Sequence, residues 1–117
     1  MKNRIDACFE KLKAENKKAL VTFITAGDPD MDTTEKCVLE MYKNGSDIIE
    51  IGVPFSDPIA EGATIQKASL RSLSGGTNLD KIFDLVRKLR TQTDKPMLLM
   101  MYINTCLLYT YDTADEL

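Results

Sequence analysis

One stretch constrains the fold more than any other: Asp47-Ile-Ile-Glu-Ile-Gly-Val-Pro-Phe-Ser-Asp-Pro-Ile-Ala-Glu-Gly62. Ile48, Ile49, Ile51 and Val53 make a short, nearly continuous β-branched run, the pattern of a strand covered on both faces in a parallel sheet. Glu50 interrupts that run. An ionised carboxylate is costly to bury without a partner, and carboxyl groups held in apolar surroundings have raised pKa values. Gly52, Pro54 and Pro58 then stop the strand and impose an irregular loop, which carries Asp57 and Glu61. Acids supplied by one strand end and the loop after it suggest acid–base chemistry.

The rest of the chain alternates helices with strands. Ile5, Cys8, Phe9 and Leu12 recur at helical spacing, which predicts an amphipathic helix from Arg4 to about Asn16. Ala19–Thr25 reads as a strand. Gly27-Asp-Pro-Asp30 is turn chemistry, and Asp32 or Thr33 could cap the next helix, which places Cys37, Val38, Met41 and Tyr42 on one side and ends near Asn44-Gly45. After the Glu50 strand come a helix over Ala63–Leu73, with Ile65, Ala68 and Leu70 inward, and a break at Gly75-Gly76. A further helix starts at Thr77 or Asn78, with Leu79, Ile82, Phe83, Val86 and Leu89 inward, and a third strand runs Met97–Tyr102. Such alternation predicts right-handed crossovers and a parallel sheet.

Two parallel architectures compete. A doubly wound sheet fits the length of 117 residues but needs about five strands, and three are convincing. A barrel of the (β/α)8 kind puts functional groups at the C-terminal strand ends, where Glu50 falls, but usually needs about 250 residues. The site favours a partial TIM (β/α)8 barrel, an N-terminal helix with the first three parallel strands, and the length implies that most of it is missing.

The bulk properties exclude several function classes. A net charge of −3 with scattered lysines and arginines offers no stripe for nucleic acid. Cys8, Cys37 and Cys106 are far apart, and with no histidine there is no zinc-site spacing, so no metal is expected and reduced thiols in the cytoplasm are. The longest apolar run, Met97–Tyr102, is far short of the ~20 residues that span a membrane, and the start lacks the apolar core of an export signal.

Read one by one, the candidate residues have plainer explanations too. Glu50 could be a solvated strand-end acid, Asp57 a turn acid, Glu61 a charge favoured by a helix N-terminus, and Phe23 and Tyr102 ordinary core aromatics. Together they fit a pattern. Glu50-Ile-Gly-Val-Pro-Phe-Ser-Asp-Pro58, followed by Ala60-Glu-Gly62 and Ile65-Gln66, closely resembles the signature of the tryptophan synthase α-subunit family. Phe23-Ile-Thr-Ala-Gly-Asp-Pro29 and Leu99-Met-Met-Tyr-Ile-Asn104 are similar to that family's first and third strand ends. The resemblance runs from about Arg4 to Asn104.

The resemblance implies a TIM barrel that cleaves indole-3-glycerol phosphate, its small-molecule substrate, to indole and glyceraldehyde 3-phosphate. It implies a reverse-aldol lyase needing no cofactor or metal of its own. It also implies a β-subunit partner, in an α2β2 tetramer, that carries pyridoxal phosphate. By the family pattern Glu50 shuttles protons, Glu61 holds the indole nitrogen, Phe23 and Tyr102 flank the ring, and Pro54, Phe55, Ser56 and Asp57 face the β subunit. One departure stands out: the commoner pattern has aspartate at position 61, one methylene shorter. The family's phosphate-holding loops belong to the later part of the barrel, so this chain alone is expected to be inactive. A non-catalytic fragment that only docks on the β subunit is the alternative, and another sugar-phosphate TIM-barrel enzyme a second one. The family segment is expected over 1–105. The run Cys106–Leu117 fits the family pattern poorly and resembles an in-frame translation of a sequencing adapter, with a short divergent strand over 107–111 as the plainer reading.

Overall fold

Asn3 begins the first helix with a reciprocal cap, its side chain accepting the Asp6 N–H while its own N–H donates to the Asp6 carboxylate. In this computed structural model, which describes residues 2–57 and 60–104, the chain order is α1 (Arg4–Ala14), β1 (Val21–Thr25), α2 (Met31–Lys43), β2 (Ile48–Gly52), α3 (Ala63–Ser74), α4 (Leu79–Arg90) and β3 (Met97–Met100). Pro58 and the expected tail over 106–117 lie outside the described residues. Every element expected over the described residues is present, with shifts at the ends. Asp30, not Asp32 or Thr33, caps α2: its carboxylate accepts the Thr33 N–H at 2.7 Å. Asn78 caps α4 in the same way. Strand β3 ends at Met100, two residues before the expected limit.

The three strands are parallel and lie in the order β1-β2-β3. Register places Phe23, Glu50 and Leu98 side by side, and Thr25, Gly52 and Met100 in the next matching row toward the strand ends. Because side chains alternate along a strand, Ile49 and Ile51 point the other way. There they join Val38 and Tyr42 of α2 and Ile82, Leu85 and Leu89 of α4 in one buried cluster, with Ile24, Met97 and Leu99 packed against it. Among the described residues the opposite face is open over much of its extent: Phe23 and Leu98 are each 37% exposed and Met100 50%. Sequential strand order with a crossover helix from each connection, α2 and α4, on one face is barrel topology, whereas a doubly wound sheet reverses its order and covers both faces.

One inward assignment is corrected. Leu70 of α3 is 59% exposed, and the helix instead buries Ala68, Ser69 and Ser72. The reason is close approach: Ser72 Oγ donates to the Ala26 carbonyl at 2.5 Å, a contact that leaves no room for a larger residue. Phe9 of α1 is half exposed, and Leu12 is that helix's buried anchor. At the N-terminal ends of the strands, the buried Tyr42 hydroxyl donates to the Pro96 carbonyl, and burial pushes its phenol up to about 12.

Candidate functional site

The C-terminal ends of the strands converge on one cavity of about 130 Å³, lined among others by Phe23, Gly52, Glu61, Ile65, Met100 and Tyr102. Gly52 is needed for its shape. A Cβ built there would lie 2.5 Å from Phe23 Cζ, so only glycine lets the phenylalanine ring lie across β2. Glu50 shares the face of the sheet on which the cavity opens, beside Phe23 in the register and one row nearer the strand N-termini than Gly52. It is half-buried in a strand whose other four residues are buried. No described residue ion-pairs with its carboxylate, so that group is held by its strand position between Phe23 and Leu98.

Glu61 is placed by three contacts from different parts of the chain. The Tyr102 hydroxyl donates a short hydrogen bond to Glu61 Oε2. The same phenol oxygen accepts the Ala60 N–H at 3.2 Å. Gln66 Nε2, from the first turn of α3, donates to the Glu61 carbonyl at 2.7 Å. The Phe55 ring packs on Tyr102 with centroids 4.9 Å apart and planes tilted by 31°. Phe23, Glu61 and Tyr102 are therefore brought together, with Glu50 adjoining them.

The loop after β2 divides in two. Pro54 is buried and Phe55 half-buried against Tyr102, while Ser56 and Asp57 are exposed. The loop after β1 forms the neighbouring part of the rim and is pinned to α3. Gly27, at φ +79°, donates its N–H to Thr34 Oγ1 at 2.9 Å, and a Cβ there would meet Thr77 Oγ1 at 2.1 Å and Ser72 Oγ at 2.6 Å. Arg71 donates to both Asp28 carboxylate oxygens, at 2.8 and 2.9 Å. Those hydrogen bonds hold the Asp28 carboxyl below its ordinary value. Sequence reasoning missed this pair, and also Ile65 and Met100 as lining residues. The parity of Met100 with Glu50 could have flagged it, but only once the pairing register was known.

Among the described residues no group of three His, Cys, Asp or Glu side chains is placed to hold a metal ion, and no helix is long and apolar enough to cross a membrane. The arrangement offers two carboxylates beside an apolar, aromatic-walled cavity at the strand ends, groups of the kind that move protons.

Comparison with known proteins gives the family to which this arrangement belongs. The sequence profile of the tryptophan synthase alpha chain family matches residues 9–115. The tryptophan synthase alpha chain of Geotalea uraniireducens is 57% identical over 107 residues, which cover 92% of this chain and 40% of that relative. The crystal structure of tryptophan synthase subunit alpha from Legionella pneumophila superposes with a TM-score of 0.92 at 43% identity, covering 96% of this chain and 43% of that one. A chain of the tryptophan synthase α2β2 complex from Pyrococcus furiosus matches with a TM-score of 0.69 at 41% identity over 74% of this chain and 36% of that one. The chain thus spans about two fifths of the length of the relatives it matches, and its three strands correspond to part of their barrel.

Proposed function

The chain belongs to the tryptophan synthase alpha chain family, and from that premise we propose that it carries the proton-transfer half of a site that cleaves indole-3-glycerol phosphate. The observation that carries this reading is the placement of Glu50 beside Phe23 on the open face of the sheet, next to the cavity that Glu61 and Tyr102 wall. In the cleavage, indole C3 gains a proton, the glycerol hydroxyl next to the breaking carbon–carbon bond loses one, and the electrons of that bond pass to the ring. Glu50 is suited to move these protons. The Glu61 carboxylate is suited to hold the ring N–H as positive charge develops on the nitrogen.

Substrate phosphate binding belongs to the later loops of the barrel in this reading, and remote binding of that kind supplies free energy that orients the reacting end. Purified 117-residue polypeptide is therefore expected to turn over no substrate. In a full-length protein bearing this segment, Glu50→Gln is expected to lower kcat by at least about a hundredfold while an indole-bearing substrate analogue still binds. Turnover within a few-fold of the parent would overturn the assignment.

The exposure of Ser56 and Asp57, on a loop anchored by buried Pro54 and by Phe55, supports a second role for Pro54–Asp57 as the contact with a pyridoxal-phosphate-bearing β subunit. The cytoplasm is the compartment that suits Cys8 and Cys37, both free thiols.

A further inference from the structure

The geometry points to Tyr102 as the positioning residue for Glu61, a brace that holds one carboxylate oxygen so that the other is offered to a ring N–H in the cavity. This rests on the reading of that cavity as an indole site. The hydrogen-bond directions are fixed by chemistry. An amide N–H can only donate, so the Ala60 N–H uses the phenol oxygen as acceptor and the hydroxyl proton remains for Glu61 Oε2. One oxygen atom thereby ties the backbone before Glu61 to the end of its side chain. Two further contacts hold this arrangement: Phe55 packs on the phenol ring, and Gln66 holds the Glu61 carbonyl.

Among the described residues only Tyr102 bonds the Glu61 carboxylate, through Oε2, and Glu61 lines the cavity, so Oε1 is the oxygen assigned to a ligand. A glutamate has one more rotatable bond than an aspartate to order, and fixing it before the ligand arrives removes that entropic cost from binding. Tyr102 thus has a different task from flanking the ring. It makes the longer acid at position 61 selective for a ligand that donates a hydrogen bond.

The test compares indole with benzofuran, which has the same bicyclic shape with oxygen in place of N–H, as ligands of the full 117-residue chain. Tyr102→Phe is expected to reduce the preference for indole by about 2- to 10-fold, the cost of ordering one rotamer-rich side chain, with benzofuran affinity unchanged. A merely structural loss would weaken both ligands alike, and either that result or an intact preference overturns the inference. A second readout needs no ligand: the Tyr102 Cζ carbon-13 resonance, assigned by its disappearance in Tyr102→Phe, is expected to move in Glu61→Met. An unmoved resonance overturns the brace. If the parent chain holds indole and benzofuran equally while that resonance moves, the indole reading fails and the brace stands.

Discussion

The two faces of the sheet have been put to opposite uses. On the helix side Ile49 and Ile51 are fully buried with Val38, Ile82 and Leu89; on the other side Phe23 and Leu98 keep 37% of their surface exposed, with Glu50 between them. The strand that joins both faces, β2, is apolar almost throughout, so composition alone does not separate them. What separates them is the single charge. A carboxylate on the helix side would be desolvated with no cation to compensate it, whereas on the open side it keeps access to water and to a ligand. Folding free energy is concentrated on one face and the candidate acid lies on the other, one residue away along the same strand.

The largest expected effect breaks the comparison directly. Ile51→Ala removes a fully buried side chain that packs on two helices and is expected to cost about 2–5 kcal/mol. Leu98→Ala, on the open face, is expected to cost no more than about 1.5 kcal/mol. Urea unfolding midpoints of the two variants measure the difference. Equal losses would mean that the open face is packed in solution, by self-association through the edge strands β1 and β3 or by another covering element, and a dependence of the midpoint on protein concentration would identify the former.

Gly52 sharpens the comparison at one position. Gly52→Ala places a methyl group where the Phe23 ring lies, 2.5 Å from Cζ, and overpacking of this kind costs about 1–3 kcal/mol. Because the ring has open space beside it, most of the strain can be relieved by moving Phe23 rather than by deforming the backbone. The expected signature is a modest drop in the urea midpoint with a large change in the Phe23 ring resonances. Unmoved ring resonances together with a large loss of stability would place the strain in the sheet instead and show that the open face is as rigid as the covered one.

The same contrast explains how much could be read from the chain. The strands and helices were legible because local signals agreed with their tertiary roles: β-branched runs at Ile48–Ile51, a capping asparagine at 78, glycines after α3. The Glu50-to-Gly62 stretch gave the site its acids because a charge inside an apolar strand is rare. Misreadings came where a specific side-chain contact overrode the general pattern. Asp30 caps α2 ahead of two equally suitable neighbours; its carbonyl accepts from Thr34 Oγ1, which in turn accepts the Gly27 N–H. Leu70 faces outward because α3 approaches β1 through Ser72 and needs small residues there. The pairing of Tyr102 with Glu61 spans 41 residues and has no local signature at all.

The rim where the two faces meet supplies the smallest and most conditional effect. Asp28 and Arg71 clip the loop after β1 to α3, and the pair is worth little in water-exposed surroundings because Arg71 keeps 57% of its side-chain surface exposed, although Asp28 keeps only 17%. Its sign with pH is nevertheless definite. The Arg71 hydrogen bonds hold the folded-state pKa of Asp28 below its ordinary value of 3.8, so the folded chain releases that proton more readily than the unfolded one. The contribution is therefore fully present above about pH 4 and is lost as pH falls through the lower folded-state value. Urea midpoints of the parent and Arg71→Met are expected to differ slightly at pH 7 and pH 5 and to converge in more acid solution, once Asp28 is protonated in both folded and unfolded chains. A gap that persists undiminished in acid would show that the arginine stem stabilises the clip through apolar contact rather than through charge. In that case the rim would behave as an extension of the covered face, and the division between a folding side and a chemical side would run through the loop rather than along the sheet.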